Sequence, residues 1–338
     1  MFIFAQNYTF LYLLKIGNTQ LGKFPVFLAP MEDVTDYPFR KMCKFFGADF
    51  MYTEFISSDG LIRGGKKGLK KLMISEEDRP VGIQLYGNDP DIMADAAKIA
   101  EEFNPDVIDL NFGCPVKKIS RRGAGAGLLQ NIPLMIDITR KVIDAVNIPV
   151  TAKTRIGWDS SKIVIEEVAE KLQETGIKAL TIHARTKSQM YSGQANWSYI
   201  AKVKKNPSIT IPIIGNGDID SPDKALECFN NYGVDAIMVG RASIGNPWIF
   251  KQIKYFLETG KYFKLSFPEK VNYIKQQLYE FIVYKGERGG VITMRRHFAN
   301  FIKNLPDSRD LKIKLLTANS VEDVTKILDI IADKYKDY

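Results

Sequence analysis

The sequence predicts an α/β fold: a (β/α)8 TIM barrel followed by a small all-helical C-terminal domain. Eight short runs of β-branched and apolar residues recur through the first three quarters of the chain, helical patterns separate most of them, and strand-like runs stop after Gly260. Helices between successive strands imply parallel strands with crossover connections. Eight such units in roughly 250 residues fit a closed barrel better than an open sheet.

The predicted strands are Val26–Ala29, Phe50–Thr53, Val81–Leu85, Val107–Asn111, Val150–Thr154, Ala179–His183, Pro212–Gly215 and Ala236–Val239. Pro25, Pro80 and Pro149 precede runs and Pro212 opens one, a placement strands tolerate at their first residues. Helices are predicted at Pro90–Phe103, Pro133–Val146 and Ile163–Thr175. An open dinucleotide-binding sheet usually carries G-x-G-x-x-G after its first strand, and here that place reads Ala29-Pro30-Met31-Glu32. In the tail, Val271, Ile274, Leu278, Phe281 and Ile282 make one apolar stripe and Met294, Phe298, Phe301, Ile302 and Leu305 another. The run Gly286–Gly290 separates the two helices, and Ser320-Val321-Glu322-Asp323 opens a last one. The expected organisation is an N-terminal extension over 1–15, the barrel over 16–260 and a helical domain over 261–338.

At 45% hydrophobic and 25% charged residues, the composition is that of a globular protein. The net charge of +8 suits a polyanionic partner, without establishing one. Cys43, Cys114 and Cys228 form no C-x-x-C pair, which argues against a disulfide framework or structural zinc and for a reducing, cytoplasmic location. Residues 1–14 are weakly apolar but lack a basic start and a cleavage site, so they predict an extra segment rather than a signal peptide. No run reaches the length of a membrane span. No metal is expected, and a monomer is the working expectation.

Catalytic groups of such barrels sit where strands end. Gln84 lies near the end of the third strand, Asn111 ends the fourth, and Lys153 and Arg155 end the fifth. His183 and Arg185 end the sixth, Asn216-Gly217-Asp218 follows the seventh, and Gly240-Arg241 follows the eighth. Consecutive strands that each end in a polar group are hard to explain as core. The glycines after the last two strands allow close backbone approach to a phosphate, and Arg241 adds a fixed cation. Cys114 stands just past the fourth strand, followed by Lys117, Lys118, Arg121, Arg122 and a glycine-rich run expected to be mobile. A thiol on a catalytic-face loop with cationic neighbours can exchange a proton. Cys43 and Cys228 fall in helical patterns as small packers.

Taken in order, Leu28-Ala29-Pro30-Met31, Gln84-Leu85-Tyr86-Gly87, Asp109-Leu110-Asn111-Phe112-Gly113-Cys114-Pro115, Lys153-Thr154-Arg155, His183-Ala184-Arg185, Gly215-Asn216-Gly217-Asp218 and Gly240-Arg241 resemble the tRNA-dihydrouridine synthases, most closely the bacterial B-type. The likeness is strong over about 16–255 and looser in the tail. Phe112 and Glu32-Asp33 depart from the commoner residues without removing a group that has a role.

The resemblance implies FMN at the barrel mouth and NADPH or NADH as reductant. It places Pro30, Met31 and Glu32 along the isoalloxazine and Gln84, Lys153 and His183 at its polar edge, with Asn111 also in the cofactor set. It gives Asn216, Gly217, Asp218, Gly240 and Arg241 the ribityl phosphate. It also implies hydride transfer to C6 of a tRNA uridine, with Cys114 protonating C5. Lys117, Lys118, Arg121, Arg122 and Arg185 near the mouth, and Arg295, Arg296, His297 and Lys303 on a helix over Val291–Leu305, are expected to meet RNA. Two other readings stay open at this stage: a flavin barrel acting on a free pyrimidine, similar to dihydroorotate dehydrogenase, and a non-catalytic RNA-binding barrel.

Overall fold

The computed structural model describes residues 13–338. Most of the expected N-terminal extension, and all but the end of its weakly apolar stretch, lies outside the described residues. The described chain starts in a hairpin of two very short strands, β1 (Lys15–Ile16) and β2 (Thr19–Gln20). Ile16 and Leu21 are buried with Phe27, Phe50, Val107, Ala179, Ile214 and Ala236, so the hairpin closes the base of the barrel. Two-residue strands are too short to leave a periodic signature, and the sequence reading does not contain them.

The barrel strands follow as β3 (Val26–Leu28), β4 (Met51–Tyr52), β5 (Ile56–Ser57), β6 (Val81–Tyr86), β7 (Val107–Phe112), β8 (Val150–Arg155), β9 (Leu180–His183), β10 (Ile213–Asn216) and β11 (Ala236–Val239). Their order is β3-β11-β10-β9-β8-β7-β6-β4, every pairing parallel. A parallel bridge between Phe27 and Phe50 closes the circle, and the Leu28 N–H donates to the Phe50 carbonyl at 2.9 Å. All eight predicted runs are therefore barrel strands. β5 is an addition: after a break at Thr53–Phe55 the second strand resumes and pairs with the end of β6. The strands read as continuous apolar runs because helices cover them outside while side chains fill the barrel inside.

Helix starts follow sequence chemistry. Asp89 accepts from the N–H groups of Asp91 and Ile92 ahead of a helix opening at Pro90, and Ser266 with Glu269 forms a capping box before the helix Phe267–Lys285. That helix leads into Glu287–Phe301, Arg309–Thr317 and Val321–Lys334. Val271, Ile274, Leu278 and Phe281 of the first expected stripe, and Met294, Phe298, Phe301 and Ile302 of the second, are buried in one apolar cluster with the outer layer of the barrel. The predicted five-residue separator shrinks to one residue. Gly286, at φ 77°, turns the chain, and the next helix starts at Glu287. Gly290 belongs to that helix, where a Cβ would come within 2.8 Å of the Ile282 backbone nitrogen. Ser320 caps the last helix as expected, accepting from the Asp323 N–H at 3.1 Å. No helix among the described residues is long and apolar enough to cross a membrane.

Candidate active site

The C-terminal ends of the strands open into a cleft of about 1050 Å3. Asn111, Cys114, Lys153 and His183 line it from β7, β8 and β9, while Pro30, Met31 and Glu32 line it from the loop after β3. Asn216, Gly217, Asp218, Gly240 and Arg241 form the side beyond β10 and β11, and Lys270, Arg296, Asn300 and Lys303 come from the tail. Residues spread over 270 positions of sequence thus meet in one cavity. Parallel strands all point their C-terminal ends to the same face, and that geometry collects them.

The cavity is electropositive. Burial, with the nearby Arg155 charge, brings Lys153 down to about 8 against the opposing pull of Asp109. Burial also holds His183 well below the ordinary imidazole range, reinforced by Arg155 and Lys153, so the ring is neutral. Burial raises the Cys114 thiol, only partly offset by a Val116 backbone N–H and the Arg155 charge. Cys114 is therefore a protonated thiol at neutral pH, 7% exposed and facing the cleft.

Its loop is held rigidly. The Asn111 Oδ1 accepts from the backbone N–H groups of Gly113 at 3.0 Å and Cys114 at 2.9 Å. Arg155 Nε donates to the Gly113 carbonyl at 2.7 Å, and its Nη1 donates to the carbonyls of Thr186 and Met190. Arg155 thereby clamps the loop after β7 to the loop after β9. It ends the fifth strand in the sequence reading, yet that reading gives it no site role; its place two residues past Lys153, on the same face of β8, is the signal. Lys270, in the first turn of a tail helix, carries no comparable signal, and neither does Tyr191, which lies under the Arg241 guanidinium at 5.0 Å.

The glycine-rich run after Cys114 is not the mobile flap expected. Gly125–Gln130 forms a 3-10 turn whose Gly125, Ala126, Gly127, Leu128 and Leu129 are buried. Its glycines answer to space: a Cβ on Gly127 would lie 2.5 Å from the Ser120 carbonyl oxygen, and one on Gly125 3.1 Å from that of Cys114. Lys117, Lys118, Arg121 and Arg122 are exposed beside this turn and do not line the cleft.

Four more placements differ from expectation. Gln84 is fully buried and does not line the cleft; its amide bonds Asp109 at 2.5 Å and Asn111 at 2.7 Å. Arg185, 2% exposed, is spent on Asp218 at 2.6 Å and on the Gly193 carbonyl, so it cannot meet RNA. His297, 1% exposed, packs between Phe39 and Phe281 while its Nδ1 accepts from the Gly245 N–H. Burial pushes it down to about 3, so it is a neutral core residue. Arg295 turns away from the cleft and donates to Ala318, the carbonyl that ends the helix Arg309–Thr317. Arg296 and Lys303 do line the cleft, and Arg296 donates to the Asp33 carbonyl.

The side formed by β10 and β11 fits a phosphate. Among the described residues, no protein acceptor takes the backbone N–H groups of Gly217, Asp218, Gly240 or Arg241. Gly217 sits at φ 133°, a conformation that favours glycine, and Arg241, which lines the cleft, begins a short 3-10 turn. The Asp218 carboxylate is neutralised by Arg185 and Arg241, which removes its repulsion for an anion.

Comparison with known proteins gives the family. The family described as "Dihydrouridine synthase (Dus)" matches residues 27–336. A probable tRNA-dihydrouridine synthase of Rickettsia prowazekii is 39% identical over 325 residues, 96% of this chain and 98% of that protein. The tRNA-dihydrouridine synthase B of Pseudomonas aeruginosa is 38% identical over 286 residues, 84% of this chain and 86% of its own length. Among solved structures, a 6-hydroxypseudooxynicotine amine oxidase from Pseudomonas geniculata covers 73% of this chain with a TM-score of 0.56. A histamine dehydrogenase from a Rhizobium species covers 80% with a TM-score of 0.53. At 15% and 13% identity these two share the fold alone, and this chain spans about half the length of each. A barrel with this order of motifs, matched by one family over nearly its whole length, makes the chain a member of the dihydrouridine synthase family.

Proposed function

We propose that this protein reduces uridines in tRNA to 5,6-dihydrouridine, with FMN as cofactor, NADPH or NADH as reductant and Cys114 as proton donor. The observation that carries the reading is a buried thiol, raised in pKa, that shares one cleft with a cationic floor and an anion cradle. A thiol with a raised pKa is suited to give a proton and unsuited to act as a resting thiolate nucleophile.

The residues present fit FMN. The free N–H groups of Gly217, Asp218, Gly240 and Arg241 would hold its phosphate, and Pro30, Met31, Lys153 and His183 would border its ring. Lys153 would offer positive charge to a bound flavin, and neutral His183 would add no competing charge. When bound, FMN supplies hydride transfer to C6 of uracil.

The chain itself provides the rest. The Cys114 Sγ–H bond breaks and its proton goes to C5 of uracil. Arg155 and Lys153 lower the cost of the thiolate left behind, and solvent then reprotonates it. Asn111 and Arg155 hold the loop so that Sγ stays aimed into the cleft. A uracil stacked within folded RNA cannot reach this floor, so the base must leave its stack. Arg296, Lys303 and Lys270 at the tail side of the cleft, with Lys117, Lys118, Arg121 and Arg122 beyond the loop after β7, give the surrounding RNA its phosphate partners. Those tail cations have little purpose in an enzyme of free pyrimidines, and a purely RNA-binding barrel has no use for the buried thiol.

The test is genetic and chemical. Dihydrouridine is mapped in tRNA from cells lacking the gene and from cells with it restored. Loss and recovery of the modification support the reading, and an unchanged map overturns it.

A further inference from the structure

Below Cys114, three adjacent strands place a continuous chain of hydrogen bonds inside the barrel. The register pairs Gln84 of β6 with Asp109 of β7, and Asp109 with Thr151 of β8. Thr151 Oγ1 donates to the Asp109 carboxylate at 2.6 Å, and Gln84 Nε2 donates to it at 2.5 Å. Asn111 Nδ2 donates to the Gln84 Oε1 at 2.7 Å. Asn111 Oδ1 in turn accepts from the backbone N–H groups of Gly113 and Cys114.

The two ends of this chain differ in kind. An ionised carboxylate only accepts, and backbone N–H groups only donate. Two primary amides lie between them, and either could be turned over. With an acceptor-only foot and a donor-only top, a single orientation of both amides satisfies every group. We propose that Asp109 is a positioning residue whose negative charge fixes the direction of the Gln84 and Asn111 amides and so holds the Cys114 loop in its working geometry. Nothing in this assignment has Asp109 touching substrate. It deepens the reading of Cys114 as proton donor and rests on it.

Asp109 is 1% exposed, and its burial outweighs its two hydrogen bonds, pushing the carboxyl up to about 6. The titratable groups that face it are Lys153 from β8 and Tyr52 from β4, whose own hydroxyl is pushed far up by burial. A protonated Asp109 carries a donor of its own, so below about pH 6 the foot no longer dictates a direction and the loop loosens.

The experiment reads the accessibility of the Cys114 thiol, not catalysis. The full chain carries Cys43→Ala and Cys228→Ala, leaving one thiol, and the rate of labelling with 4,4′-dithiodipyridine is followed from pH 5 to 8. Asp109→Asn is isosteric, so a role in packing alone leaves the rate unchanged. The relay instead calls for labelling about tenfold faster than in the Asp109 parent at pH 7.5, the factor set by one buried hydrogen bond. The ratio should fall toward one near pH 5, where Asp109 is itself neutral. A ratio of one throughout overturns the proposal. If Asp109→Asn fails to fold, the parent decides, its labelling rate divided at each pH by that of free cysteine so that the thiolate fraction is accounted for: protection lost as pH falls through about 6, with unchanged circular dichroism, supports the relay, and constant protection overturns it. Dihydrouridine formation by the wild type is assayed in parallel. A labelling shift without activity keeps the relay and removes the proton-donor reading, while activity without a shift does the reverse.

Discussion

Arg185 and Asp218 meet at 2.6 Å across the loops after β9 and β10, one almost fully buried and the other a third exposed. The pair fixes the cleft wall where the free N–H groups of Gly217 and Asp218 lie, and it spends the Arg185 charge inside the protein. Arg185→Ala is expected to lower unfolding free energy by roughly 1–3 kcal/mol, because the two loops lose the charged hydrogen bonds that Arg185 donates to Asp218 and to the Gly193 carbonyl. Urea denaturation measures this. A loss below about 0.5 kcal/mol would show that the pair contributes nothing to the wall.

The anion cradle gives a sharper substitution. A Cβ on Gly240 would lie 3.6 Å from the Ala29 Cβ and 3.8 Å from the Met31 Sδ, ordinary contacts that need no rearrangement. Gly240→Ala should therefore crowd the cradle while Ala29 and Met31 keep their places. FMN affinity, measured by fluorescence titration, is expected to fall at least about tenfold. Unchanged affinity would place the phosphate elsewhere.

The tail separates two kinds of cation. Arg296 and Lys303 line the cleft, whereas Arg295 caps the helix Arg309–Thr317. Replacing Arg296 and Lys303 with Ala should weaken tRNA binding and reduce the slope of log affinity against log salt by about 1.4–1.8, near 0.7–0.9 per phosphate contact. Arg295→Ala should leave that slope alone and cost about 1 kcal/mol of stability through the lost cap. Equal effects of the two changes on the slope would contradict the placement.

His297 makes stability depend on acid. Its folded pKa of about 3 lies below the unfolded imidazole value near 6.5, so the unfolded state takes up the proton first. The stabilisation from keeping it neutral is present above about pH 6.5 and is lost as pH falls toward 3, near 1.4 kcal/mol per pH unit. Between pH 6.5 and 5 this amounts to about 2 kcal/mol. His297→Gln, which can still accept from the Gly245 N–H, should flatten that part of the profile in urea denaturation at a series of pH values. An unchanged slope would show that His297 is not the group responsible.

Much of this was legible from residues alone, for identifiable reasons. Parallel barrel strands are apolar on both faces, so the runs from Val26 to Val239 stand out, and polar residues at their ends collect on one face. Burial was harder to read. The resemblance places His297 against RNA, although it lies three residues past Met294 and four before Phe301, on the apolar stripe itself. That spacing was the available signal. Arg185 gave no such sign, because its partner Asp218 sits 33 positions away on another loop. The glycines after Cys114 suggested motion by composition, yet Gly125 and Gly127 are small because backbone crosses close to them.

Cys114→Ala tests the central claim most directly. Wild type and variant are supplied with FMN, NADPH and unmodified tRNA, and dihydrouridine is quantified by mass spectrometry alongside the flavin absorption of each protein. The variant is expected to bind flavin as the wild type does while its rate of modification drops about 100-fold or more, the scale of a lost general acid. A variant that modifies tRNA at the wild-type rate would contradict the assignment of the proton to this thiol.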